Sequence, residues 1–108
     1  MNSEQRDLLH ILGYFYLQHG KADKAETIFA ALSALAPRDT RFAQGLACAQ
    51  IRSGKAEPAL EILDRLLDQG EIGAMVHLLR GQALAQLNRT SEASRAMQAY
   101  MSARAIET

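Results

Sequence analysis

Apolar positions along this chain follow a helical rhythm that restarts every 34 residues. Leu9, Leu12 and Tyr16 fall at i, i+3 and i+7, one stripe of a first helix. Gly20 supplies a residue that can take φ > 0 and end that helix, and Lys21-Ala22-Asp23 begins the return. Ala25, Phe29, Leu32 and Leu35 form the stripe of a second helix, which Pro37 stops because it offers no N–H. Asp39 or Thr40 is placed to cap the helix that follows.

The same unit returns twice. Ala25, Ala59 and Ala93 are 34 apart, as are Gly13, Ala47 and Gly81, and Gly20, Gly54 and Asn88. A 34-residue period with two helical runs per unit resembles the tetratricopeptide repeat (TPR). The expected fold is all-α: a single TPR domain over 1–108, with repeats at about 6–39, 40–73 and 74–107. That amounts to six helices in a right-handed superhelix. Gly13 and Ala25 are the expected contact points where the paired helices cross, since larger side chains there would hold them apart. The second repeat keeps Leu46, Leu63 and Leu66, with Pro58 in the first turn of its second helix, where a missing N–H does little harm. It lacks a closing proline, and Asp68-Gln69-Gly70-Glu71-Ile72-Gly73 is expected to be more mobile than the first inter-repeat turn. Leu84, Met97 and Tyr100 continue the pattern in the third repeat, where Asn88 replaces the turn glycine.

The end of the array raises a question. A solenoid usually carries a polar capping helix, yet the last helix holds Ala93, Ala96, Met97, Tyr100 and Met101. Two outcomes are open: this stripe packs wholly on the preceding helix, or Met97, Tyr100 and Met101 form a second docking or self-association face.

Charge and chemistry narrow the function. Twelve basic and twelve acidic residues cancel and spread evenly, so no basic stripe exists to neutralise phosphates. No apolar run approaches the ~20 residues of a membrane span. The first residues show no basic segment followed by an apolar one, and Cys48 stands alone. These features point to a soluble protein of a reducing cytoplasm. No HExxH, CxxC, GxSxG or P-loop pattern occurs, and His10, His19 and His77 lack the spacing of a metal site. Asp64 and Asp68 share a helical face with Arg65 between them in sequence, which reads as a solvated face. No enzyme activity, cofactor or metal is expected.

In TPR arrays the first helix of each repeat lines the concave surface, and the resemblance carries that role to specific residues here. They are Asp7, His10, Tyr14 and Leu17, then Arg41, Gln44, Cys48 and Ile51, then Met75, Leu78, Gln82 and Ala85. Tyr14, Leu17, Cys48, Ile51, Met75 and Leu78 make this an apolar groove and are the expected partner contacts, suited to an extended or helical peptide. TPR co-chaperones that grip a C-terminal carboxylate use Lys, Asn and Arg at positions held here by His10, Tyr14, Gly45, Met75 and Leu79. That recognition mode is excluded, because none of these offers a charged clamp.

Three repeats, small size and an apolar groove look like the TPR chaperones of bacterial type III secretion, most of all the small YscY-like members. The shared residues include Leu8-Leu9, Gly13-Tyr14, Leu17-Gln18-His19-Gly20-Lys21-Ala22, Ala25, Ala31-Leu32, Leu35, Pro37, Leu79, Leu87-Asn88, Ala93 and Tyr100. The resemblance spans about 5–104. It implies a cytoplasmic chaperone that keeps one small export substrate, an YscX-like protein, soluble and delivers it to an export-gate protein. The alternative is a TPR scaffold of another bacterial assembly, such as pilus or envelope biogenesis.

Overall fold

Each helix begins and ends where local chemistry allows. In the computed structural model, which describes residues 1–107, α1 (Ser3–Gln18) opens on a reciprocal cap. Asn2 Oδ1 accepts from the Gln5 N–H at 2.8 Å, and Gln5 Oε1 accepts from the Asn2 N–H at 3.0 Å. α2 (Ala22–Leu35) stops just before Pro37, and α3 (Thr40–Arg52) is capped by Asp39, whose carboxylate accepts from the Arg41 N–H at 3.0 Å. α4 (Ala56–Asp68) carries Pro58 in its first turn, α5 (Ala74–Gln86) follows, and α6 (Thr90–Glu107) closes the array. The described residues hold six helices and no strand, an all-α repeat fold.

The turn within each helix pair is the same device three times. Gly20, Gly54 and Asn88 have φ of 73°, 78° and 60°, the left-handed region that glycine enters freely and asparagine tolerates. α1 packs on α2, α3 on α4 and α5 on α6, while α2 meets α3 and α4 meets α5 across the repeats. The first helices also touch one another, α1 with α3 and α3 with α5, and therefore form one continuous layer.

Close approach depends on glycine, with a different partner from the one expected for Gly13. A Cβ on Gly13 would lie 2.7 Å from the Phe29 ring, and one on Gly45 would lie 2.5 Å from the same ring. Phe29 thus wedges between its own repeat and the next, fully buried, and Ala25 is buried beside it. In the third repeat Met97 takes that role, its Sδ 2.6 Å from a Cβ on Gly81, with the Ala93 carbonyl 3.7 Å away. Core residues fall into two clusters, one around Phe29, Leu32 and Phe42, the other around Leu63, Leu66, Val76 and Leu84, with Cys48 touching both.

α6 mostly follows the packed alternative. Ala93 and Ala96 are buried on α5, Met97 and Tyr100 are half-buried, and Met101 is exposed. Its far end returns to the start of α5, where Glu107 accepts from the Ala74 N–H at 2.7 Å. Glu71 accepts from the Gly73 N–H at 3.2 Å at the same place. Two carboxylates therefore cap a helix whose N-cap, Gly73, has no side chain to do so.

Candidate functional site

The layer formed by α1, α3 and α5 is the candidate partner-binding surface. Of its six expected contacts, the structure leaves Tyr14 and Met75 exposed and Cys48 and Leu78 half-buried. Leu17 and Ile51 are corrections: they keep only 4% and 6% of their surface and belong to the core. Leu17 packs in one core cluster with Ala25, Phe29 and Leu32, and Ile51 in the other with Ala56, Ala59 and Leu60, while a latch ties successive first helices together. Arg52 Nη1 donates to the Leu17 carbonyl at 2.9 Å, and Gln86 Nε2 donates to the Ile51 carbonyl at 2.7 Å. Arg52 and Gln86 are one repeat apart, as are Leu17 and Ile51. Each last-turn carbonyl thus gains a side-chain donor from the next repeat. The periodicity of these residues was visible in the sequence, but their partners were not.

The remaining surface is mixed rather than wholly apolar. Asp7 and Arg41 face each other at 3.7 Å between α1 and α3, and Arg41 also grips Asp39 at 2.8 Å. The Arg41 hydrogen bond holds the Asp39 carboxyl below its usual range. Burial pushes the Tyr14 hydroxyl and the Cys48 thiol up, the nearby Cys48 adding to the first, so both stay protonated at neutral pH. Cys48 is therefore no activated nucleophile. Gln44 is half-buried, Gln82 and Ala85 exposed.

Aromatic contacts fix the floor near α1. His10 meets Tyr14, Phe29 and Phe42 edge-on, with centroids 5.1, 5.9 and 5.3 Å apart, and Tyr14 itself stands 5.1 Å from Phe29. Burial, with Arg41 adding to it and Asp39 and Asp7 opposing, holds the His10 imidazole below its ordinary value. Its Nε2 has no hydrogen-bond partner among the described residues. His19 lies elsewhere, stacked on Phe15 at 4.1 Å and donating from Nδ1 to the Phe15 carbonyl, and His77 is half-buried on α5. Asp64 accepts from Arg80 Nε at 2.7 Å, an ion pair that ties α4 to α5. No group of three or more His, Cys, Asp or Glu among the described residues is arranged to hold a metal ion, and no helix is long and apolar enough to cross a membrane.

Sequence reasoning missed a second surface. Leu8, Ile11, Leu12 and Phe15 form an i, i+3, i+4, i+7 stripe on α1, facing away from α2 and α3. Leu8 and Ile11 are 68% and 66% exposed and Phe15 50%, a cluster larger than single exposed residues account for.

Two solved structures share this architecture over nearly the whole chain. One is PcrH in complex with the chaperone binding region of PopB, at 24% identity and a TM-score of 0.88, covering 98% of this chain and 86% of that one. The other is the Yersinia enterocolitica type III secretion translocator chaperone SycD in an alternative dimer, at 22% identity and a TM-score of 0.86, covering 96% and 79%. Such low identities speak for the fold. No curated protein sequence matches the chain. A family model described as tetratricopeptide repeat matches residues 16–80, more than half of the sequence, and its span includes the Gly20 and Gly54 turns and the Phe29 wedge. The chain is a member of the tetratricopeptide repeat family.

Proposed function

We propose that this single TPR domain is a protein-binding chaperone of a bacterial type III secretion system. The observation that carries the reading is the α1–α3–α5 layer, where Tyr14, Met75 and the half-buried Leu78 and Cys48 sit among polar neighbours. Such a surface anchors a peptide by a few apolar side chains, and Met75 supplies an adaptable contact beside a rigid aromatic one. Its chaperone role is supported by the fold shared with PcrH, solved with a segment of PopB, and with SycD. Within that class the chain is YscY-like: it holds one small, YscX-like export substrate in the bacterial cytoplasm and delivers it to the export gate. The bound partner stabilises the chaperone by mass action and is itself kept soluble.

A second reading has its own support. SycD is a translocator chaperone and PcrH is solved with the chaperone binding region of PopB, so a translocator segment is the competing cargo. A scaffold in pilus or envelope assembly remains the reading outside secretion.

Affinity purification from the native bacterium with mass spectrometry separates the three. One small export substrate near equal stoichiometry supports the first, a translocator supports the second, and envelope or pilus components alone retire both. With the partner in hand, Tyr14→Ala combined with Met75→Asp is expected to weaken binding at least about tenfold, a change on the order of 1.4 kcal/mol, while the helical circular dichroism is unchanged. Undiminished affinity in that double variant would remove the groove from the mechanism.

A further inference from the structure

The exposed stripe on α1 occupies positions that the rest of the array buries. One repeat on, Leu8, Ile11 and Phe15 correspond to Phe42, Gly45 and Ala49, all buried where α3 packs on α2. Two repeats on they correspond to Val76, Leu79 and Ala83, all buried where α5 packs on α4. α1 therefore presents the face that receives the second helix of a preceding repeat, and among the described residues no helix lies there.

The opposite end of the molecule supplies such a helix. α6 is the second helix of its repeat, and no helix among the described residues follows to cover its outer face. Its outer face holds a shallow hollow of about 350 Å³ lined by Tyr100, Met101, Arg104 and Ala105.

The internal junction fixes how the two faces meet. Phe29 of α2 lies against Gly45 of α3. α2 and α3 are joined by a short turn and run antiparallel, so each turn forward on one is a turn back on the other. Shifted by the 34-residue period, this register sets Met97 of one copy against Ile11 of the next. One turn on, Tyr100, which lines the hollow, is set against Leu8. After a second turn, Arg104 meets Glu4. Both charges are exposed, neither takes part in an ion pair among the described residues, and their signs are opposite.

We propose that the chain associates head to tail, the α1 stripe of one copy docking on the α6 face of the next so that the solenoid continues across the junction. This inference is independent of the secretion reading. The contact is heterologous, with a ridge on one end and a hollow on the other, so it does not close at two subunits. Arg104, whose Nη1 donates to the Tyr100 hydroxyl at 3.2 Å, is already oriented along that face.

Sedimentation equilibrium of the full chain at low salt, over a wide concentration range, tests it. The wild type is expected to form species larger than dimers as concentration rises. Glu4→Arg and Arg104→Glu each place like charges at the junction and are expected to weaken association roughly tenfold. An equimolar mixture of the two variants restores opposite charges at every junction and is expected to recover the wild-type association. A monomer at all concentrations overturns the proposal. So does a closed dimer indifferent to Arg104→Glu, which would indicate α1 pairing with α1, and so does a mixture no better than its components. Because both residues are exposed on helix surfaces, circular dichroism of each variant is expected to match the wild type.

Discussion

Leu8 and Phe42 hold the same position in successive repeats, yet one is 68% exposed and the other fully buried. The same split separates Ile11 from Gly45 and Phe15 from Ala49. Both sets lie on first helices and on the same helical face. They differ in whether another of the described helices covers them, as α2 does for α3. Residue size follows that fate. Gly45 is small because the Phe29 wedge must come close, and Ala49 is packed in the same core cluster, whereas Ile11 and Phe15 are exposed. A repeat therefore defines faces, and its neighbours decide what each face becomes.

The widest gap should appear on truncating the two equivalent residues. Phe42→Ala removes a fully buried ring and is expected to cost about 3–5 kcal/mol of stability. Leu8→Ala changes an exposed side chain and is expected to stay within about 0.5 kcal/mol. Urea unfolding of dilute protein measures both, and equal losses would mean that the α1 stripe is covered within the monomer.

Adding volume tests the same comparison from the other side. A Cβ on Gly45 would stand 2.5 Å from the Phe29 ring, so Gly45→Ala is expected to destabilise by roughly 1–3 kcal/mol. At the equivalent position of α1, Ile11→Ala should be tolerated. A tolerated Gly45→Ala would show that Phe29 can move aside, and the junction register built on that contact would lose its basis.

The smallest effect concerns His10, on the opposite side of α1 from the stripe. Its folded-state value is depressed below 6.5, chiefly by burial. Its neutral form is therefore favoured on folding, and the associated stability is fully present above pH 6.5. As pH falls below that point the unfolded chain takes up the proton first, and stability declines until the folded-state value is passed. Between pH 7.5 and 5.5 a slight loss of melting temperature is expected in the wild type, and a flatter profile in His10→Phe. Equal slopes in the two proteins would assign the pH dependence elsewhere.

Helix rhythm, turn glycines and the proline stop were legible because each acts within a few residues. Gly20, Gly54 and Asn88 adopt the left-handed conformation that their spacing implied, and Asp39 rather than Thr40 caps α3. The binding surface was only partly legible. Tyr14 and Met75 are exposed, but Leu17 and Ile51 are buried in the core clusters, and their carbonyls accept from Arg52 and Gln86, each 35 residues further along the chain. The Phe29 wedge into Gly45 likewise joins residues of different repeats.

The sequence alone therefore determined the period, the helices, their turns and the apolar face of each helix, since these follow from backbone sterics and the 3.6-residue pitch. Tertiary structure decided which apolar faces are core and which are free. That depends on how closely neighbouring repeats approach and on which carbonyls they satisfy. It also showed that the α1 stripe is uncovered among the described residues, because an absent neighbour leaves no mark on the local pattern.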